Sequence, residues 1–282
     1  MTGALDACAT ILSGCITLAS AQVSAGHVHA AAPRPASMAN EAPPPPAGHA
    51  ADRYYDPGEM AAARRALHAE HGAMRVSMLL FNLAEYESRR GPDGFRWDGE
   101  YWSGGDIDRL EIATEGEATL GRRVDDAEVQ LLWNHALDPY FNIRSGVRQD
   151  FGAGPSRTYL TTGIEGVAPY WFNLEGLLFL SQKGQVSARV KVDYDQRITQ
   201  RFIVQPRVEA NLAASSDRRR GIGSGLTDIE LGVRARYELR RELAPYVGIN
   251  WYRQLGRTAD IARTSGEDIN GVSAVFGVRW WL

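Results

Sequence analysis

The sequence predicts an all-β protein: an antiparallel transmembrane β-barrel of about twelve strands, preceded by a disordered segment and a short helix. Three observations predict it. Segments of roughly ten residues alternate apolar and polar side chains, the period and length of a tilted strand crossing a bilayer. Three connections carry proline before aromatic residues: Asp138-Pro139-Tyr140-Phe141, Ala168-Pro169-Tyr170-Trp171-Phe172 and Ala244-Pro245-Tyr246. All three open odd-numbered strands, so all three fall at one interface, where an aromatic girdle belongs. The two longest connections, 213–225 and 256–270, fall at the opposite end. A soluble sandwich accounts for the alternation but gives no reason for proline–aromatic starts on every second connection.

Residues 1–21 read as a signal peptide. The stretch Ala9 to Ala19 is small and apolar, and Ala19-Ser20-Ala21 fits an A-x-A cleavage site, with Val23-Ser24-Ala25 as a second choice. No Lys or Arg occurs before Arg34, a departure from a normal leader. Leu12-Ser13-Gly14-Cys15 also resembles a lipoprotein box, but a spanning barrel needs no lipid anchor. Cleavage after Ala21 removes both cysteines, Cys8 and Cys15, so the remainder needs no disulfide in an oxidising compartment. Residues 22–55 are rich in Ala and Pro and read as a disordered linker. Residues 56–73 read as a short helix: Asp56 caps it, Pro57 suits its first turn, Glu59 sits three residues on, and Gly72 ends it.

The barrel is expected over 74–282, with strands near 74–87, 95–103, 107–117, 127–137, 140–151, 158–167, 170–181, 186–195, 201–212, 226–239, 245–255 and 271–282. The pattern is clearest where Val186, Ala188, Val190, Val192 and Tyr194 alternate with Ser187, Arg189, Lys191, Asp193 and Asp195. Val190, Val192, Val204, Val208, Leu231, Val233, Phe276 and Val278 are expected to face lipid, and the intervening charges the lumen. Both barrel ends are expected on the periplasmic side. The net charge of −3 gives no footing for nucleic acid, and no apolar run approaches the ~18 residues of a membrane helix. Inward residues such as Arg189, Lys191, Asp193, Arg207, Glu209, Glu230, Arg234, Arg236 and Glu238 mix signs. They admit two readings, an ion path or a salt-bridged packed interior.

Several strings resemble the copper resistance protein B (CopB/PcoB) family. They include Gly105-Asp106-Ile107-Asp108-Arg109-Leu110, Gly146-Val147-Arg148-Gln149-Asp150-Phe151, Gly163-Ile164-Glu165-Gly166-Val167-Ala168-Pro169-Tyr170, Thr199-Gln200-Arg201-Phe202-Ile203-Val204-Gln205-Pro206-Arg207 and Arg240-Arg241-Glu242-Leu243-Ala244-Pro245-Tyr246. The resemblance runs in order from about residue 56 to the C-terminus. It implies an outer-membrane barrel that binds copper in the periplasm and assists its sequestration or export. Copper ions, outer-membrane lipid and a periplasmic copper-handling protein are then the expected partners, and copper the bound or transported ion.

The family's N-terminal segment is crowded with Met and His. Here the candidates are His27, His29, Met38, His49, Met60, His68, His71, Met74 and Met78. Thioether sulfur suits Cu(I) and imidazole suits Cu(II). Gly26-His27-Val28-His29 makes a weak chelate, and scattered His and Met in a linker also fit a segment that binds nothing specifically. Glu85, Glu111, Glu115 and Glu165 are hard ligands that select poorly for copper. The terminal Leu282 departs from the usual aromatic end, and Trp280 and Trp281 are expected to serve instead. Two alternatives remain: a pore without a metal role, and a barrel-rim hydrolase. The second lacks a base beside a nucleophile, since His135 is the only histidine of the barrel and is expected to be an interfacial polar residue. No enzyme activity is expected.

Overall fold

The structure, a computed structural model, describes residues 48–72, 74–122, 124–152 and 154–282. The expected signal peptide and most of the expected linker lie outside these residues. The chain divides into a unit ending at Ala62 and a unit from Ala63 to Leu282. In the first, a short turn at Ala50–Arg53 precedes the helix α1, Pro57–Leu67. Asp56 caps α1 as the sequence predicts, its Oδ1 accepting from the Glu59 amide at 2.9 Å. Past Leu67 the helix widens into a looser turn over His68–Gly72.

The second unit is a closed antiparallel barrel. Its strands are β1 Val76–Ser88, β2 Gly94–Gly104, β3 Asp108–Thr119, β4 Val124–Ala136, β5 Phe141–Gly152, β6 Arg157–Ala168, β7 Phe172–Ser181, β8 Val186–Tyr194, β9 Gln196–Arg197, β10 Phe202–Ala213, β11 Gly225–Tyr237, β12 Leu243–Gln254 and β13 Asn270–Trp281. The two-residue β9 continues β8 past Asp195 along the same edge of β10, so the wall has twelve staves. Each stave pairs with the next in sequence, and β13 returns to β1, with Phe81 opposite Trp280 and Tyr86 opposite Phe276. Closure removes every open sheet edge, the condition for strands in lipid.

The two faces of the wall are opposite in character. Val129, Leu131, Val147, Leu160, Leu178, Leu231, Val233, Ile249 and Phe276 are exposed outside. Glu85, Arg96, Glu111, Glu128, Arg144, Glu209, Arg234 and Arg236 are buried inside. An apolar exterior of this extent around a charged interior is a membrane-spanning design. The expected lipid-facing valines and Phe276 all lie on the outer face.

At the end where β1 begins and β13 ends, Tyr101, Trp133, Tyr140, Tyr170, Trp171 and Phe172 are exposed, an aromatic girdle. Tyr246 departs from the expectation. It is 5 % exposed and points inward, donating to Glu85 Oε2 at 3.1 Å. Leu243, exposed on β12, and Trp280, stacked on Phe81 at 5.0 Å, stand near that place on the girdle. Trp281 donates its indole N–H to the Arg241 carbonyl at 2.9 Å, anchoring the last strand.

One connection differs from the expected loop. Within 256–270 lies the helix α2, Gly256–Ser265, closed by Gly266 at φ 76°. Its Thr258, Ala259 and Ala262 are buried. A stripe of three small residues over ten is too short to register as a helical period in the sequence.

Candidate functional site: a charged lumen open at one mouth

Period-two alternation points every second side chain inward, and the inward set is ionic at mid-height. Arg96 on β2 reaches Glu230 on β11, Glu115 on β3 at 3.2 Å and Glu209 on β10 at 3.6 Å. Arg189 on β8 crosses to Glu128 on β4, with both nitrogens at 2.9 Å from its oxygens. Lys191 holds Glu115 at 2.6 Å, and Arg207 holds Glu209 at 3.0 Å. The bonds from Arg96 to Glu230 and Glu209, from Arg189 to Glu128 and from Lys191 to Glu115 cross the lumen between non-adjacent strands, whereas Arg96–Glu115 joins neighbouring strands and Arg207–Glu209 lies within β10. At this level the lumen is a salt-bridged packing, the second of the two readings of the inward charges. The carboxylates weighed as hard metal ligands are engaged in the same way. Glu85 pairs with Arg234, Glu111 with Arg144, Glu115 with Lys191, and Glu165 with Arg144.

Below this belt the lumen opens. A cavity of about 840 Å³ is lined toward this end by Asp106, Ile107, the Asp138-Pro139 turn and Leu80, Asn82 and Leu83 of β1. Nine carboxylates and five cationic side chains line it. Asp98, Glu100, Asp106, Glu165, Glu175 and Asp193 are among the former, and Arg109, Arg144 and Lys191 among the latter. The local excess of negative charge between low-dielectric walls attracts cations. Guanidinium groups therefore do not dominate this end, because carboxylates outnumber them locally.

At the opposite mouth one connection reaches across the barrel end. The β10–β11 connection, 214–224, folds into a small unit in which the Asp217 amide donates to the Ile222 carbonyl at 2.7 Å and Ile222 returns a bond at 3.0 Å. Asp217 forms an ion pair with Arg157 of β6 at 2.5 Å, and Arg220 with Asp150 of β5 at 2.9 Å. Burial alone would raise the Asp217 carboxyl, but the Arg157 guanidinium beside it, the Arg219 amide and the Lys183 charge hold it below the usual carboxylate range. A carboxyl lowered on folding contributes stability that is complete above its ordinary value, about 3.9, and is lost as pH falls through the lowered value. The protection of amides 214–224, their exchange rate relative to the intrinsic rate at the same pH, should accordingly fall on acidification below about pH 4. In Asp217→Asn it should be low already at neutral pH and lose that acid dependence. An acid response identical in the variant would assign it to other groups.

Of the candidate metal ligands, His27, His29 and Met38 lie outside the described residues. His49 is exposed before the Ala50–Arg53 turn, and Met60 is half-buried on α1, both in the first unit. His68 and His71 are exposed on the looser turn after α1, and Met74 is exposed just before β1. Met78 pairs with Trp102 on β2, and two residues on Leu80 pairs with Glu100 of the cavity lining. Met78 therefore shares their inward face at the open mouth. Among the described residues no group of three or more His, Cys, Asp or Glu side chains is arranged to hold a metal ion. His135 lies on the outer face. Its Nδ1 is 2.8 Å from Asp108 Oδ1, which also accepts from the Trp133 indole at 3.0 Å. The luminal placement of Met78 was not legible in its sequence neighbourhood. A bulge between Phe81 and Leu83 exchanges the two faces of β1 there.

Residues 75–282 match the family described as copper resistance protein B precursor (CopB). The chain is 40 % identical over 215 residues to copper resistance protein B of Escherichia coli, covering 76 % of this chain and 72 % of that one. It is 39 % identical over 215 residues to the copper resistance protein B homolog of Pseudomonas syringae pv. tomato, covering 76 % and 73 %. Among solved structures the NanC porin aligns with a TM-score of 0.49 at 14 % identity, over 71 % of this chain and 98 % of that one.

Proposed function

The chain belongs to the copper resistance protein B family, and from that premise we propose that it is an outer-membrane barrel which captures copper at its open mouth and assists its sequestration or export. The soft ligands of the N-terminal segment, and separately Met78 at the open mouth, supply the capture sites. The placement of soft ligands carries this reading. Every methionine after Met1, and every histidine except His135, precedes Leu79. The barrel beyond offers carboxylates and guanidinium groups, of which the first are hard ligands and the second are none. Met78 is the thioether that turns into the lumen, beside a cavity whose excess of carboxylates raises the local concentration of any cation. In this reading the open mouth faces the periplasm, and a periplasmic copper-handling protein exchanges the ion there. The segment loses chain entropy when it folds around copper, so affinity is moderate and release easy.

Removing residues 22–72 and titrating the purified barrel with Cu(I) and Cu(II) tests the site. Stoichiometry should fall for both ions, and Met78→Leu in the truncated protein should remove most of what remains for Cu(I). Undiminished binding after truncation would move the site into the barrel. Growth of a deletion strain on graded copper, with periplasmic and total copper measured, tests the role. A pore without a metal role predicts the same copper tolerance with and without the gene.

A further inference from the structure

The 214–224 connection is the largest feature of the lumen that the copper reading leaves unused. It leaves the wall between β10 and β11, yet its charged side chains end on β5 and β6, across the intervening β7 and β8. Arg157, 3 % exposed, fixes Asp217. Arg220 fixes the other side, meeting Asp150 at 2.9 Å and donating to the Tyr159 hydroxyl at 2.6 Å. The far end of the connection rests on α2. The Gly223 amide donates to the Thr258 hydroxyl at 2.9 Å. A methyl group at Gly223 would sit 2.3 Å from the Thr258 backbone nitrogen, so the contact is backbone to backbone.

The residues that hold this connection are ionic and polar. Ala214, Ser215, Ser216, Arg218 and Arg219 are exposed, and Ile222, its only large apolar residue, is half-buried. A segment held by few buried apolar contacts and several charged ones opens at low free-energy cost, without unfolding the wall beneath it. That combination is found in a part that moves.

We propose that residues 214–224, seated on α2 and latched by the Arg157–Asp217 and Arg220–Asp150 ion pairs, form a lid that controls access of small hydrophilic solutes to the lumen at the mouth opposite the open cavity. The lumen is then closed at this mouth by the lid, filled at mid-height by the salt-bridged belt and open at the other. Releasing the latch exposes the luminal face of β13, where Ser273 is buried, to solutes on the lid side. The proposal stands on the barrel alone and is independent of copper.

The test uses the full chain in lipid vesicles with Cys8 and Cys15 replaced by serine and Ser273→Cys as a luminal reporter. The probe is a charged, membrane-impermeant methanethiosulfonate. Trypsin cleavage at Arg218 and Arg219 reports the lid itself. The latch variant is Asp217→Asn with Arg220→Gln. Asparagine at 217 keeps the cap that Oδ1 offers the Arg219 amide and removes only the charge. Gly223→Ala is the second variant, which lifts the lid off α2 without touching an ion pair. Both should speed cleavage and labelling about tenfold, while heat-modifiable migration shows the barrel intact. Faster cleavage with unchanged labelling would show that the lid is not the barrier. Unchanged cleavage in both variants would show that these contacts are not the latch.

Discussion

Replacing Arg234 with alanine should destabilise the barrel by about 3–5 kcal/mol, the cost of leaving a buried carboxylate without its partner. Arg234 on β11 and Glu85 on β1 are both buried, and two strands of wall separate them. The pair is bidentate: Nε donates to Oε2 at 3.0 Å and Nη2 to Oε1 at 2.7 Å. Tyr246 adds a third bond to the same carboxylate. Such a fork matches guanidinium geometry and not ammonium geometry, so Arg234→Lys should recover only part of the loss. The double change Glu85→Gln with Arg234→Met should cost much less than Arg234→Ala, because no uncompensated charge is left behind. Equilibrium urea unfolding in lipid vesicles measures all three. A cost below about 1 kcal/mol for Arg234→Ala would mean that lumen water solvates Glu85 as well as the protein does.

That pair also marks where reading the sequence stops. The alternation of β8, β10 and β11 was legible because lipid and lumen impose opposite demands on adjacent residues. The strand spans found from it agree with the wall within a few residues. The run Met78-Leu79-Leu80-Phe81-Asn82-Leu83 hides its strand, since the bulge sends apolar residues to both faces in turn. Tyr246 follows a proline as Tyr140 and Tyr170 do, but they precede their strands and it lies inside β12, where the outward run Val247, Ile249 and Trp251 puts position 246 on the inner face. Its partner Glu85 lies 161 residues away, which no local pattern shows. The lid is invisible for the same reason, as Arg220 meets Tyr159 across 61 residues. Of the candidate site, ligand chemistry was legible and position was not. Residue type tells that Met78 suits soft copper, but only the register with Trp102 and Glu100 places it on the lumen side of a mouth.

The outer face supports the second large effect. Leu231 lies midway along β11, exposed, between Val208 of β10 and Trp251 of β12. Leu231→Arg should cost about 2–4 kcal/mol, because a guanidinium near the bilayer midplane loses its water and finds no partner among apolar neighbours. The same wall contains an internal control. Arg253 stands on the same outer face as Trp251, at the lid end of β12, where it pairs with Ile229 and Asn270. It is exposed there because the interface solvates it. Arg253→Leu should therefore change stability by only about 0–1 kcal/mol, as expected near the interface. The two substitutions are reverse exchanges of leucine and arginine on the outer face of neighbouring strands, one at mid-depth and one at the interface. Unfolding of the two variants in lipid vesicles compares them directly. If they cost the same, the apolar band does not contact hydrocarbon. The outer wall would then be covered by something other than lipid, such as a second copy of the chain.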